Sequence, residues 1–276
     1  MSYTIQDRQE IHSSAEQILS LQQELKEYNT KYNSEIIEAG AEVEQMCAGR
    51  AYGSRDTSTL FAPNQTKPLA PQNIIVNIIL SWAALITKDR PSVYAVPSSS
   101  DPAAISSAAL ATKYIEYFET EEETAERWDT SAIYAAQHGT GLIRIEYDQS
   151  KEKVEWTNVS VMNVMLEKRA DPEKVEWCVI VDYVDQYTAE ALIQQSDPSY
   201  TGLPDTVTYM DGAGYECDGV AKYSIYYKPS ARYPTGLQAV VVDETVVDAT
   251  EYQYIFQDKD GNGEKAILPL VWWTAR

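Results

Sequence analysis

The chain is 276 residues long and 44% hydrophobic, and it carries 22 Lys and Arg against 42 Asp and Glu, a formal charge of −20. That length and apolar content are enough for one large domain or two ordinary ones with sizeable cores. No Lys/Arg-rich stretch occurs anywhere, which argues against a general nucleic-acid or membrane-surface binder, because both need a basic patch.

Three widely spaced cysteines, Cys47, Cys178 and Cys217, suggest neither a disulfide framework nor a CxxC metal site, and a reducing compartment fits them best. The amino terminus lacks the basic and apolar regions of a secretory signal. The longest apolar stretch, near residues 74 to 86, is broken by Asn77 and Ser81 and falls short of the ~20 residues needed to cross a bilayer, so no membrane partner is expected.

In chain order, Ile11, Ala15, Ile18, Leu21, Leu25, Tyr28, Tyr32, Ile36, Val43 and Met46 recur in steps of three, four or seven, which predicts a long helix or helix pair with one apolar face. Residues 53 to 72, rich in Pro, Ser, Thr and Asn, read as a loop. A second helix is expected over about 73 to 88, with Ile75, Ile78, Ile79, Trp82 and Ile86 on one face and Trp82 buried. Pro91 stops it, and "SVYAV" before Pro97 has the alternation of a short edge strand. Asp101 and Pro102 open a third helix, and "ETAERWDTSAIYAAQH" reads as a fourth that closes at a left-handed Gly139.

Beyond Gly139 the pattern changes to strands: "GLIRIEYD", "VEWTNVSV", "EWCVIVDYV", "AKYSIYYK", "LQAVVVDETVV", "EYQYIFQD" and "AILPLVWW", with "TAEALIQQ" as a short helix among them. The expected class is therefore α+β, with long amino-terminal helices followed by a mostly antiparallel strand-rich region. The expected division is a mainly helical part over 1–139 and a strand-rich part over 140–276.

Candidate chemical sites each have a plainer structural reading. Asp258, Asp260, Asn262 and Gly263 match the first half of a calcium loop, but Pro269 stands where its bidentate Glu belongs, and a hairpin turn explains the same residues. "HGTGLIR" carries Gly139 and Gly141 between a helix and a strand, the reverse of a dinucleotide loop, so a tight connection is expected instead. His12 and His138 have no Cys or second His at ligand spacing, and no GxSxG elbow occurs. The acidic run at 119 to 129 reads as a solvated face, and the twenty tyrosines lack the interleaved basic residues of a base-stacking platform. No catalytic, cofactor-binding or metal-binding residue is expected, and no cofactor.

A different signal comes from "PQNIIVNIILSWAALITKDRPSVYAVPSSSDPAAISSAALATKYIEYF", which resembles the amino-terminal, wing-like part of portal proteins of tailed bacteriophages. Asn77, Trp82, Lys88, Arg90, Pro91, Val93, Pro97, Asp101 and Pro102 stand at the places of that family's Asn-containing helix, Lys/Arg–Pro element, short strand and Asp-Pro helix. "AIYAAQHGTGLIRIEYD", with Gly139 and Gly141, is similar to the family's helix, small-residue turn and strand. Lys228, Pro229, Ser230, Tyr233, Pro234 and Gly236 resemble its "KPS…YP.G" strand pair, and "LPLVWW", with Pro269, resembles the apolar segment that follows. The pieces run in family order over residues 70 to 276.

The resemblance implies a structural, non-enzymatic subunit of a homo-oligomeric ring, usually a dodecamer, at the portal vertex of the virion head, assembled in the host cytoplasm. Its implied partners are the major capsid protein, the terminase, tail adaptor proteins and genomic double-stranded DNA, which passes through during packaging and ejection without sequence-specific binding. An acidic channel that repels DNA would let it slide. The family's stem helices and crown have no counterpart here, and "AILPLVWWTAR" is expected to be covered by further sequence or by subunits. Another head–tail connector or adaptor, or a carboxylate-based hydrolase, is the alternative.

Overall fold

The computed structural model describes residues 5–47, 74–88, 93–121, 123–148, 153–169, 174–210, 216–231, 233–257 and 264–274. The protein is α+β: long helices come first and antiparallel sheets follow. Secondary structure changes character near residue 140, whereas compactness divides the chain differently. One unit combines residues 1–50 with 162–268, and the other combines 51–161 with 269–276.

The first unit is organised by helix α1 (Ile5–Cys47), a single helix rather than a pair. Its 43 residues contain no proline and one glycine, Gly40, so nothing in the sequence interrupts it over a length of ~65 Å. Against it lies a sheet of β3 (Val164–Leu166), β4 (Trp177–Val184), β6 (Glu216–Tyr227), β7 (Leu237–Val242) and β8 (Thr245–Thr250), in that order, with β5 (Val207–Met210) added to β6. Register places Val179 beside Ile225 and Ile225 beside Ala239, so one pleat face presents a continuous apolar row. Ile18, Leu21 and Leu25, spaced three and four apart on α1, bury themselves in that row together with Trp177 and Val241.

The side-chain period of two sends Val242 to the opposite face, where Val220 joins it under Ala189 and Ile193 of helix α5 (Gln186–Ser196). Asp185 starts α5 by accepting hydrogen bonds from the backbone N–H of Tyr187 and Thr188, at 3.1 and 3.0 Å. Thus "TAEALIQQ" is helical as expected, and the central sheet is covered on both faces.

The second unit contains α2 (Ile74–Thr87), α3 (Pro102–Glu121), α4 (Thr124–His138) and a three-stranded sheet of β11 (Leu270–Thr274), β1 (Thr140–Asp148) and β2 (Lys153–Val159). Helix α4 packs on β1 and β2, and α2 packs on α4. Its core is small: Ile79 and Ala83 from α2, Ala132 and Ala135 from α4, and Leu142, Ile143, Val159 and Leu270 from the strands. Strand β11 pairs with β1 from Thr140↔Thr274 to Arg144↔Leu270, and the Ile145 N–H donates to the carbonyl of Pro269 at 2.9 Å.

Two expectations are corrected in this unit. Trp82 is 57% exposed, because the face of α2 that meets α4 is centred on Ile79 and Ala83 rather than on the tryptophan. Residues 93–97 form no strand, since no neighbouring strand offers them a ladder among the described residues. Alternation supplied the side-chain pattern of a strand without a partner to pair with.

Candidate functional site

Most of the residues singled out from the sequence sit where the chain turns. Gly139 ends α4 in the left-handed region, φ 79°, and its N–H donates to Ala135 at 2.8 Å, which is the closure expected of it. Gly141 is buried in β1 opposite Trp273, so the two glycines make the helix-to-strand connection. Pro269 is buried and leads into β11.

The KPS…YP.G segment joins β6 to β7. The Lys228 N–H donates to Glu176, and the Ser230 and Gly236 N–H groups both donate to the Tyr233 carbonyl, at 2.8 and 2.9 Å. The Ser230 hydroxyl accepts from the Tyr233 N–H at 3.2 Å, while Pro229 and Pro234 face solvent. Gly236 is buried at φ +72°, and a Cβ there would stand 2.5 Å from the Tyr252 Cβ and 2.8 Å from the Tyr227 carbonyl oxygen. Only glycine fits. These residues therefore shape a connection and present no converging reactive groups.

Asn77 and Trp82 are exposed on α2, and the Asn77 carbonyl accepts from the Ser81 hydroxyl at 2.7 Å. Pro97 is exposed at the end of the 93–97 segment. Arg90 and Pro91 lie outside the described residues, as do residues 258–263 of the calcium-like loop. The strands flanking that loop, Ile255–Gln257 and Glu264–Ala266, pair antiparallel with Glu264 opposite Gln257, which is the arrangement a hairpin requires.

Several perturbed titratable groups of the first unit lie together: Lys26, Tyr223 and Asp243 act on one another, and Tyr223 acts on Tyr183. Burial lowers the pKa of Lys26, whose ammonium lies 4.1 Å from the Tyr223 ring centroid, while Glu244 and Asp243 oppose the shift. Asp243 occupies the left-handed region at φ 56° in the turn between β7 and β8. Its pKa is raised by burial first, then by Asp205 and Glu244. In the other unit, burial lowers the pKa of His138. Among the described residues no group of His, Cys, Asp and Glu is arranged to hold a metal ion.

What the sequence reading missed is a surface. Helix α3 has no buried residue, and Leu110, Tyr114 and Tyr117 are 70%, 64% and 62% exposed. They fall four and three apart, on one face. The signal was already visible as apolar residues at helical spacing on a helix whose first half, residues 102–112, carries no charge. No helix among the described residues is long and apolar enough to cross a membrane. Comparison with protein-family models and with curated proteins gave no match to this chain.

Proposed function

We propose that this chain is a structural subunit of a phage portal ring, serving at the capsid vertex as part of the passage for DNA and the platform for terminase and tail. The observation that carries this reading is the ordered series of family-like segments from the Asn77 helix to "LPLVWW". The exposed apolar residues of α2 and α3, Leu85, Leu110 and Tyr114 among them, support it, since exposed apolar surface that is contiguous commonly marks an interaction site. The charge of −20 supports it too, because a DNA passage works by not holding its cargo.

Immunogold labelling of particles of the phage that encodes the chain is the direct test. Label confined to one vertex of the head is expected. Label along the tail or at its tip would favour an adaptor, and label absent from particles would remove the virion reading. Hydrolytic turnover by the purified chain, abolished by single Asp or Glu substitutions, would move it to the hydrolase class.

A further inference from the structure

We propose that Glu123 is a hinge at which α3 and α4 can join into one continuous helix, making α3 an arm with a bent and a straight position. Glu123 holds φ 49° and ψ 40° between the end of α3 at Glu121 and the start of α4 at Thr124, and its side chain makes no capping hydrogen bond. The left-handed region is unfavourable for L-residues, and it is mainly short polar side chains such as Asn and Asp that offset the cost by bonding locally. At the other end of α4 the chain makes its left-handed turn with a glycine, Gly139. From Ala103 to His138 the sequence contains neither Gly nor Pro, and Glu is among the better helix formers, so nothing in these residues demands a break. A residue held against its own preference, at the joint between two helices, is characteristic of a switch region.

Straightening exchanges hydrogen bonds rather than losing them. In the bent form the Glu123 N–H donates to the Thr120 carbonyl at 3.4 Å, and the Thr124 hydroxyl donates to the Glu119 carbonyl at 3.2 Å. With Glu123 in the right-handed region, the Glu119 carbonyl accepts from the Glu123 N–H and the Thr120 carbonyl from the Thr124 N–H, four residues on, as in any α-helix. Little burial holds the arm in place. α3 buries no residue; Phe118 meets Trp156 of β2 edge-on with ring centroids 5.7 Å apart, and the Thr112 hydroxyl accepts from the Ala95 N–H at 3.1 Å, a contact with the segment just before the helix. α4, by contrast, buries Thr124, Ser131, Ala132 and Ala135 and packs on β1 and β2, so α3 is the part that moves. Charge opposes the straight form: Glu123 would stand four residues from Glu119 and three from Glu126 on one continuous helix, and like charges at those spacings repel. Swinging the arm re-aims Leu110, Tyr114 and Tyr117 relative to the β1–β2 sheet. The inference stands on the geometry of this joint and does not rest on the portal reading.

The test is pulsed dipolar distance measurement on residues 1–276, with spin labels carried by unnatural amino acids at positions 106 and 137 so that Cys47, Cys178 and Cys217 stay unmodified. On one continuous helix those positions stand about 46 Å apart, and any bend shortens the distance. Glu123→Ala favours the helix and removes a repelling carboxylate, so it should populate the long distance. Glu123→Gly accepts the left-handed region freely and should suppress it, with the ratio of long to short differing about ten-fold or more between the two variants. The unmodified chain should fall between them. Hydrogen exchange of β1 and β2 separates straightening from unfolding: protection equal to that of the unmodified chain is expected in the Glu123→Ala variant, together with new protection of the Thr124 amide. A single short distance in the Glu123→Ala variant overturns the inference. So does the same ratio in both variants, and so does a long distance that comes with loss of protection in β1 and β2.

Discussion

Helices α1 and α3 are both long and both carry apolar residues at helical spacing, yet they end in opposite circumstances. On α1, Ile18, Leu21 and Leu25 disappear into a sheet whose own rows of Val, Ile and Ala match them. On α3 no residue is buried, and Leu110, Tyr114 and Tyr117 stay exposed among the described residues. The contrast teaches that amphipathic spacing states a demand for a partner without saying whether the same chain provides it. In the first unit the sheet meets the demand, and on α3 the described residues leave it unmet.

The sharpest way to break this comparison is to truncate one residue from each stripe. Leu21→Ala should cost about 3–5 kcal/mol in denaturant unfolding, since the side chain is fully buried, while Leu110→Ala in the dissociated chain should cost under about 0.5 kcal/mol. Equal costs would mean that α3 is packed within its own chain. Next comes the β6–β7 connection, where Gly236→Ala should lose about 2–4 kcal/mol through an unfavourable positive φ and overlap with Tyr252. A thermal shift of less than a degree would show that the turn relaxes freely.

A smaller effect is expected on α2. Trp82→Ala should cost below about 1.5 kcal/mol in the dissociated chain, because more than half of the indole is already in water. A loss at the level of a buried aromatic would restore the expectation that the sequence raised. The smallest effects follow from titration, measured as melting temperature against pH. Burial raises the folded pKa of Asp243, so its contribution is present below the ordinary carboxylate range and fades as pH rises through the raised value. Asp243→Asn should therefore raise the neutral-pH melting temperature slightly and flatten that slope. His138 has the opposite sign: burial lowers its pKa, so stability is present above the ordinary histidine range and falls as pH drops through the lowered value. His138→Gln should flatten the acid-side decline, and an unchanged profile would assign it to other groups.

Legibility from sequence followed the range of the interactions. Gly139 could be read because helix closure is decided within a few residues. The strands from Thr140 onward could be read because period-two alternation is local, and so could the α+β class. The pairing of β11 with β1 could not, since it joins residues about 130 apart and brings the last described strand back beside the first. The same blindness explains Trp82 and "SVYAV". Both have the right local chemistry for burial or pairing, and both lack the neighbour that would complete it. Short strands such as β3 escaped because three residues carry too little periodicity to stand out. The exposed face of α3 was not read from the sequence, because the exposure of Leu110, Tyr114 and Tyr117 depends on what the rest of the fold covers.

The measurement that bears most directly on the central claim is electron-microscopic imaging of purified residues 1–276 at high concentration. The portal reading predicts associated copies rather than single ones, heterogeneous for these residues alone and closing into rings, most simply dodecamers, once the sequence or subunits that cover "AILPLVWWTAR" are added. A uniform population of single copies, unchanged by concentration and salt, would contradict it.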